Sequence, residues 1–126
     1  MRRRLSLAVL LLVALTDTFA LSLAPSTKLT ASEAKNHIGE RATVCGLVVD
    51  GRYLAKSKGQ PTLINFEKPY PDQTFTLLIW GDHRKQFGEP ERELKGKRVC
   101  VTGLIKIYNG KPEIAATAKS QVSIED

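Results

Sequence analysis

The chain has 126 residues and a net charge of +6, with 25% of its residues charged and 42% hydrophobic. That length supports one packed domain and excludes two independent cores. Two histidines and two cysteines that are expected to pair with each other do not make a structural zinc site, and the sequence has no glycine-rich phosphate loop.

The N-terminus reads as an export signal. Met1 is followed by Arg2, Arg3 and Arg4, and residues 5–15 are apolar apart from Ser6. Such a run suits a signal-peptide core and falls short of the about 20 residues that span a bilayer. Thr18-Phe19-Ala20 puts small residues where a signal peptidase reads, which predicts a signal peptide over residues 1–20. Ala24 is a second candidate, although Pro25 would then follow the cut; an uncleaved anchor is the alternative reading. Cleavage after Ala20 leaves 106 residues and removes Arg2, Arg3, Arg4 and Asp17, so the mature chain keeps a charge of +4. This mild basicity permits a polyanionic partner without requiring one. The expected location is the periplasm or the cell exterior.

Residues 21–29 lack any period and read as a flexible leader, so the domain is expected over residues 30–126. Thr30 and Glu33 have capping-box spacing, and Ala31, Ala34 and Ile38 share a helical face, which predicts a two-turn helix stopped at Gly39. Residues 41–50 are rich in valine and carry Gly46 inside a strand pattern, a common mark of a bulge or bend. A polar loop over residues 51–60 precedes a second strand at residues 62–66. Pro69 and Pro71 force a turn before a third strand at residues 75–80. Residues 81–96 are charged and interrupted by Gly88 and Pro90, leaving room for short helical turns only. Residues 98–108 form the longest strand, with Gly103 placed as Gly46 is in the first. Asn109-Gly110 is a two-residue hairpin signal, followed by a strand at residues 113–118 that starts after Pro112. Residues 120–124 extend that strand or cross to another edge.

Five short strands, two bent at glycine, with an irregular connection between the third and fourth, describe an all-β fold. It is a five-stranded Greek-key barrel with the strand order of the OB-fold, carrying a short N-terminal helix. Cys45 and Cys100 both lie inside apolar strands of an exported chain, which predicts a disulfide between them, with two buried free thiols as the alternative.

The string from residue 38 to 124 resembles small exported bacterial OB-fold proteins described as nucleic-acid-binding. The resemblance is carried by Val44-Cys45-Gly46, by Leu63-Ile64-Asn65-Phe66 with Lys68-Pro69-Tyr70-Pro71, and by Phe75-Thr76 with Ile79-Trp80. It continues through residues 97–103 and through Gly110-Lys111-Pro112-Glu113-Ile114. This last stretch also resembles the end of the anticodon-binding OB domain of aminoacyl-tRNA synthetases. The resemblance implies a binding module rather than an enzyme.

OB barrels bind across their second and third strands, between the first and the last hairpin loops. The candidate ligand residues are therefore Arg52, Tyr53, Lys56 and Lys58 in the first loop, Lys68 and Tyr70 after the second strand, and Tyr108 and Lys111 at the last hairpin. Cations would meet phosphates and tyrosines would stack on bases of single-stranded DNA or RNA. A protein or glycan partner on the same face is the alternative. Phe66, Phe75 and Trp80 read as core. Asp82-His83 reads as a polar turn, since it has neither nucleophile nor third partner. No catalytic residue, cofactor or metal is expected.

Overall fold

In the computed structural model, residues 12–14, 16 and 26–125 are described. The expected signal peptide and both cleavage sites, at Ala20 and Ala24, lie outside the described residues apart from residues 12–14 and 16. Among the described residues, no helix is long and apolar enough to cross a membrane.

The sheet is organised on one long strand, β2 (Arg41–Tyr53), whose two halves pair with different neighbours. Residues 41–47 pair antiparallel with β5 (Arg98–Leu104), and residues 48–53 pair antiparallel with β3 (Thr62–Phe66). The register shifts between Val48 and Asp50, so the bulge sits there and not at Gly46. An extra residue on one strand increases local twist and turns the strand from one partner to the next. β3 pairs antiparallel with β4 (Phe75–Ile79), which in turn pairs in parallel with β7 (Lys111–Ala115). β6 (Lys106–Tyr108) forms the hairpin with β7, and β8 (Val122–Ile124) pairs with β5.

The N-terminal part differs from the sequence reading in detail. Lys28 and Leu29, expected in the leader, belong to a short strand β1 (Lys28–Thr30) that lies parallel to β2. Thr30 then caps a helical segment through the expected reciprocal capping box with Glu33, but the segment Ala31–Asn36 is a 3₁₀ helix. Two four-residue helical turns, α1 (Gly81–Arg84) and α2 (Pro90–Glu93), fill the connection between β4 and β5.

The all-β expectation holds, while the strand count and closure do not transfer as stated. Among the described residues there are eight strands in an open path, β6-β7-β4-β3-β2-β5-β8, with β1 on β2, rather than a clearly closed five-stranded barrel. One cause is Ile105, where the expected fourth strand divides into β5 and β6. Its N–H donates to the Glu40 carbonyl and its carbonyl accepts from Gly39, so both backbone groups leave the ladder. Its side chain is fully buried.

The core is built from alternate residues of these strands, including Val44, Val48, Ile64, Leu77, Val99, Val101 and Ile114. Phe66 and Phe75 meet edge to face at 5.1 Å between ring centroids, a favoured aromatic geometry. Trp80 does not join them: it is 44% exposed and its ring lies against the backbone of Gly59. Cys45 and Cys100 are register partners on β2 and β5 and form the disulfide, with Cα atoms 4.1 Å apart.

Candidate functional site

Successive strand residues point to opposite faces, so a strand that fills the core on one side offers its alternate residues to the other. On β3, Ile64 and Phe66 enter the core while Leu63 and Asn65 face outward. They form part of the floor of a cleft of about 380 Å³. Arg52 and Leu54 border it from the end of β2, and Tyr70 and Pro71, joined by a cis peptide bond, border it from the loop before β4. Tyr108, Asn109 and Lys111 border it from the β6–β7 hairpin. Asn109 and Gly110 both hold positive φ, 47° and 75°, as a tight two-residue turn demands.

Four of the eight sequence-predicted ligand residues therefore come together: Arg52, Tyr70, Tyr108 and Lys111. Tyr70 and Tyr108 are exposed. The other four, Tyr53, Lys56, Lys58 and Lys68, are not among the residues lining the cleft. Tyr53 follows Arg52 directly and so takes the opposite face. There the Arg84 guanidinium lies 3.6 Å from its ring centroid. Arg84 also donates to both carboxylate oxygens of Glu91, at 2.9 and 2.8 Å, and to Thr62 Oγ1 at 2.7 Å. Tyr53 is thus held in a structural cluster. Lys56 and Lys58 stand exposed on the β2–β3 loop, and Lys68 is exposed two residues before Tyr70.

The floor of the cleft holds Asn65, Gln73, Thr76 and Glu113, none of them a candidate ligand residue in the sequence reading. Asp50, Asn65, Thr76 and Glu113 are successive register partners across β2, β3, β4 and β7. Asn65 and Thr76 are buried although polar, and their side chains are joined. Asn65 Nδ2 donates to Asp50 Oδ1 at 2.7 Å, and Thr76 Oγ1 donates to Asn65 Oδ1 at 3.5 Å. Buried Gln73 donates from Nε2 to Thr76 Oγ1 at 3.2 Å, and its Oε1 is buried with no partner among the described residues. Glu113 is half-buried, and burial pushes its carboxyl above the usual carboxylate range, with Lys106 opposing the shift. The available signal was the polar residue inside an apolar strand, Asn65 in residues 62–66 and Thr76 in residues 75–80. Such residues are seldom buried without a partner or a ligand.

Comparison with known proteins returns the fold. No protein-family model and no curated protein matches the chain. Among solved structures, the chain is similar to an OBody bound to hen egg-white lysozyme, with a TM-score of 0.54 and 18% identity over 83% of this chain and 99% of that one. It is similar to a protein from Leishmania major Friedlin assigned as an aspartyl-tRNA synthetase, with a TM-score of 0.51 and 13% identity. That match covers 87% of this chain and 22% of the other. It is also similar to yeast Stn1 and Ten1, with a TM-score of 0.55 and 13% identity over 82% of this chain and 65% of that one. At these identities the likeness defines an all-β, barrel-like OB fold.

Proposed function

We propose that this chain is a non-enzymatic, exported OB-fold module that binds single-stranded nucleic acid in the cleft over β3 and β4. The observation that carries this reading is the convergence of two cations, Arg52 and Lys111, with two tyrosines, Tyr70 and Tyr108, at one cleft. Cations neutralise phosphates, and each stacked base contributes about 1–3 kcal/mol. Two of the similar structures, the aspartyl-tRNA synthetase assignment and Stn1–Ten1, give the reading context. In the closed five-stranded description of the fold, β5 and β6 count as one strand bent at Ile105. The cleft then lies across the second and third strands of that barrel, where OB-folds take ligands.

The test is fluorescence anisotropy with a labelled single-stranded oligonucleotide and micromolar protein. Binding is expected at low salt and weakens as salt rises, with a shallower salt dependence in Arg52→Ala and Lys111→Ala. An unchanged anisotropy at low salt would reject the reading. Export is tested separately by the intact mass of the protein recovered outside the cytoplasm, expected to begin at Leu21.

A protein or glycan partner on the same face is the second reading, favoured by the exposure of Tyr70, Ile107 and Tyr108. The OBody bound to lysozyme gives it context. Capture of a partner that persists at high salt, with no oligonucleotide binding, would select it.

A further inference from the structure

The polar row under the cleft has a direction, and that direction sets which ligand edge the cleft accepts. A carboxylate accepts hydrogen bonds and donates none, so the contact between Asp50 Oδ1 and Asn65 fixes the Asn65 amide with Nδ2 toward Asp50. Asn65 Oδ1 must then accept, which makes the Thr76 hydroxyl a donor toward it. The Thr76 oxygen is left to accept from Gln73 Nε2. The end of the chain is Gln73 Oε1, a bare acceptor, buried and with no partner among the described residues. Beside this row stands Glu113, the register partner of Thr76, a second acceptor facing the same cleft. Among the described residues no side chain donates a hydrogen bond to its carboxylate. The floor therefore presents acceptors, while the cations Arg52 and Lys111 stand at the rim.

An acceptor-lined floor rewards a ligand edge that carries donors and repels one that carries carbonyl oxygens. Guanine offers a ring N–H beside an exocyclic amine. Thymine and uracil offer one N–H flanked by two carbonyls. Resting on the nucleic-acid reading above, we propose that Gln73 and Glu113 make this cleft selective for guanine over thymine and uracil, with Asp50 acting as the positioning residue that holds Gln73 as an acceptor. Gln73 and Glu113 both line the cleft in which a ligand donor would meet them. A buried acceptor left unpaired is costly, so meeting it with a ligand donor favours binding.

The experiment uses the purified full chain and a short labelled oligothymidylate in which one central thymine is replaced by guanine, or by hypoxanthine, which keeps the ring N–H and lacks the amine. The guanine oligonucleotide is expected to bind about tenfold more tightly than the all-thymine one, with hypoxanthine between them. In Asp50→Asn the chain of hydrogen bonds can reverse, leaving Gln73 to present Nε2 as a donor. Oligonucleotides should still bind, with the guanine preference reduced toward unity. Equal affinity of the unmodified protein for guanine and thymine oligonucleotides overturns the proposal and leaves the nucleic-acid reading standing. A guanine preference unchanged in folded D50N overturns the role of Asp50. Failure to bind any oligonucleotide overturns both readings. The hypoxanthine comparison needs no protein variant, so a poorly folding D50N does not decide the matter.

Discussion

Arg84 shows how one side chain can tie four elements together. From α1 it reaches Thr62 on β3 and Glu91 on α2 and covers the Tyr53 ring from β2. Only 15% of the Arg84 and Glu91 side chains is exposed, so water screens the pair weakly. Hydrogen bonds to charged groups contribute about 1.5–3 kcal/mol each, and removing one partner strands the other. Arg84→Met is therefore expected to lower the unfolding free energy by about 2 kcal/mol, measured by urea denaturation. The paired Arg84 holds the Glu91 carboxyl below its ordinary value of 4.5. A carboxyl depressed in the folded state stabilises the fold above its unfolded pKa and loses that contribution as pH falls below it. Acid destabilisation below about pH 4.5 should accordingly be shallower in Glu91→Gln. Glu113 works in the opposite sense. Burial raises its folded pKa, so the folded state favours the protonated form, and stability falls as pH rises from its ordinary value through the raised one. Glu113→Gln should remove that fall and be the more stable protein at neutral pH, read from thermal melts at several pH values. A melt that shifts identically with pH in both proteins would show that Glu113 carries no such linkage.

At the scale of elements, the strands were legible because their signals are local. β3 occupies the residues expected for it, and the Asn109-Gly110 turn has the backbone that its residue types demand. The capping box of Thr30 and Glu33 also formed, since it needs only neighbours in sequence. What sequence could not supply is a reason that lies across the sheet. Gly103 was read as a bend, yet its role is close approach: a Cβ there would stand 2.7 Å from Ile114 Cγ2 on β7. Gly103→Ala is expected to cost about 2 kcal/mol through overpacking, and pairing it with Ile114→Ala, which removes Cγ2, should leave a double variant less destabilised than the sum of the two single changes. Denaturation of the two single variants and the double variant measures the coupling. Additive effects would show that the Gly103–Ile114 contact is not the cause. β1 escaped notice for the same kind of reason: a three-residue strand with one buried side chain, Leu29, has no period of its own. Its existence depends on the unpaired edge that β2 offers.

Across the whole molecule, β2 divides the labour. Its first half is pinned to β5 by Cys45 and Cys100, and its second half, beyond the bulge, supplies Arg52 to the cleft and Asp50 as the hydrogen-bond partner of Asn65 in its floor. The candidate site was half legible because loop composition flags cations and tyrosines but not the direction in which each points. Arg52 and Tyr53 are neighbours in sequence and lie on opposite faces; Asn65 and Gln73 became visible only when the strands were paired. The disulfide was legible from the even cysteine count in strands of a chain expected, from its N-terminal residues, to be exported. It links residues 55 apart in sequence, for which the chain-entropy model gives about 4 kcal/mol of stabilisation, acting on the unfolded chain. Because Cys45 and Cys100 are direct register partners, breaking the bridge leaves the backbone ladder on both sides able to form. Reduction should thus lower the urea midpoint substantially while the folded protein keeps the oligonucleotide affinity proposed for it, since the cleft draws on the other half of β2. The comparison is between oxidised protein, protein in excess reductant, and Cys45→Ala/Cys100→Ala, each followed by denaturation and by anisotropy. If affinity falls in step with stability, the two halves of β2 are coupled through the bulge between Val48 and Asp50, and the division of labour along this strand is wrong.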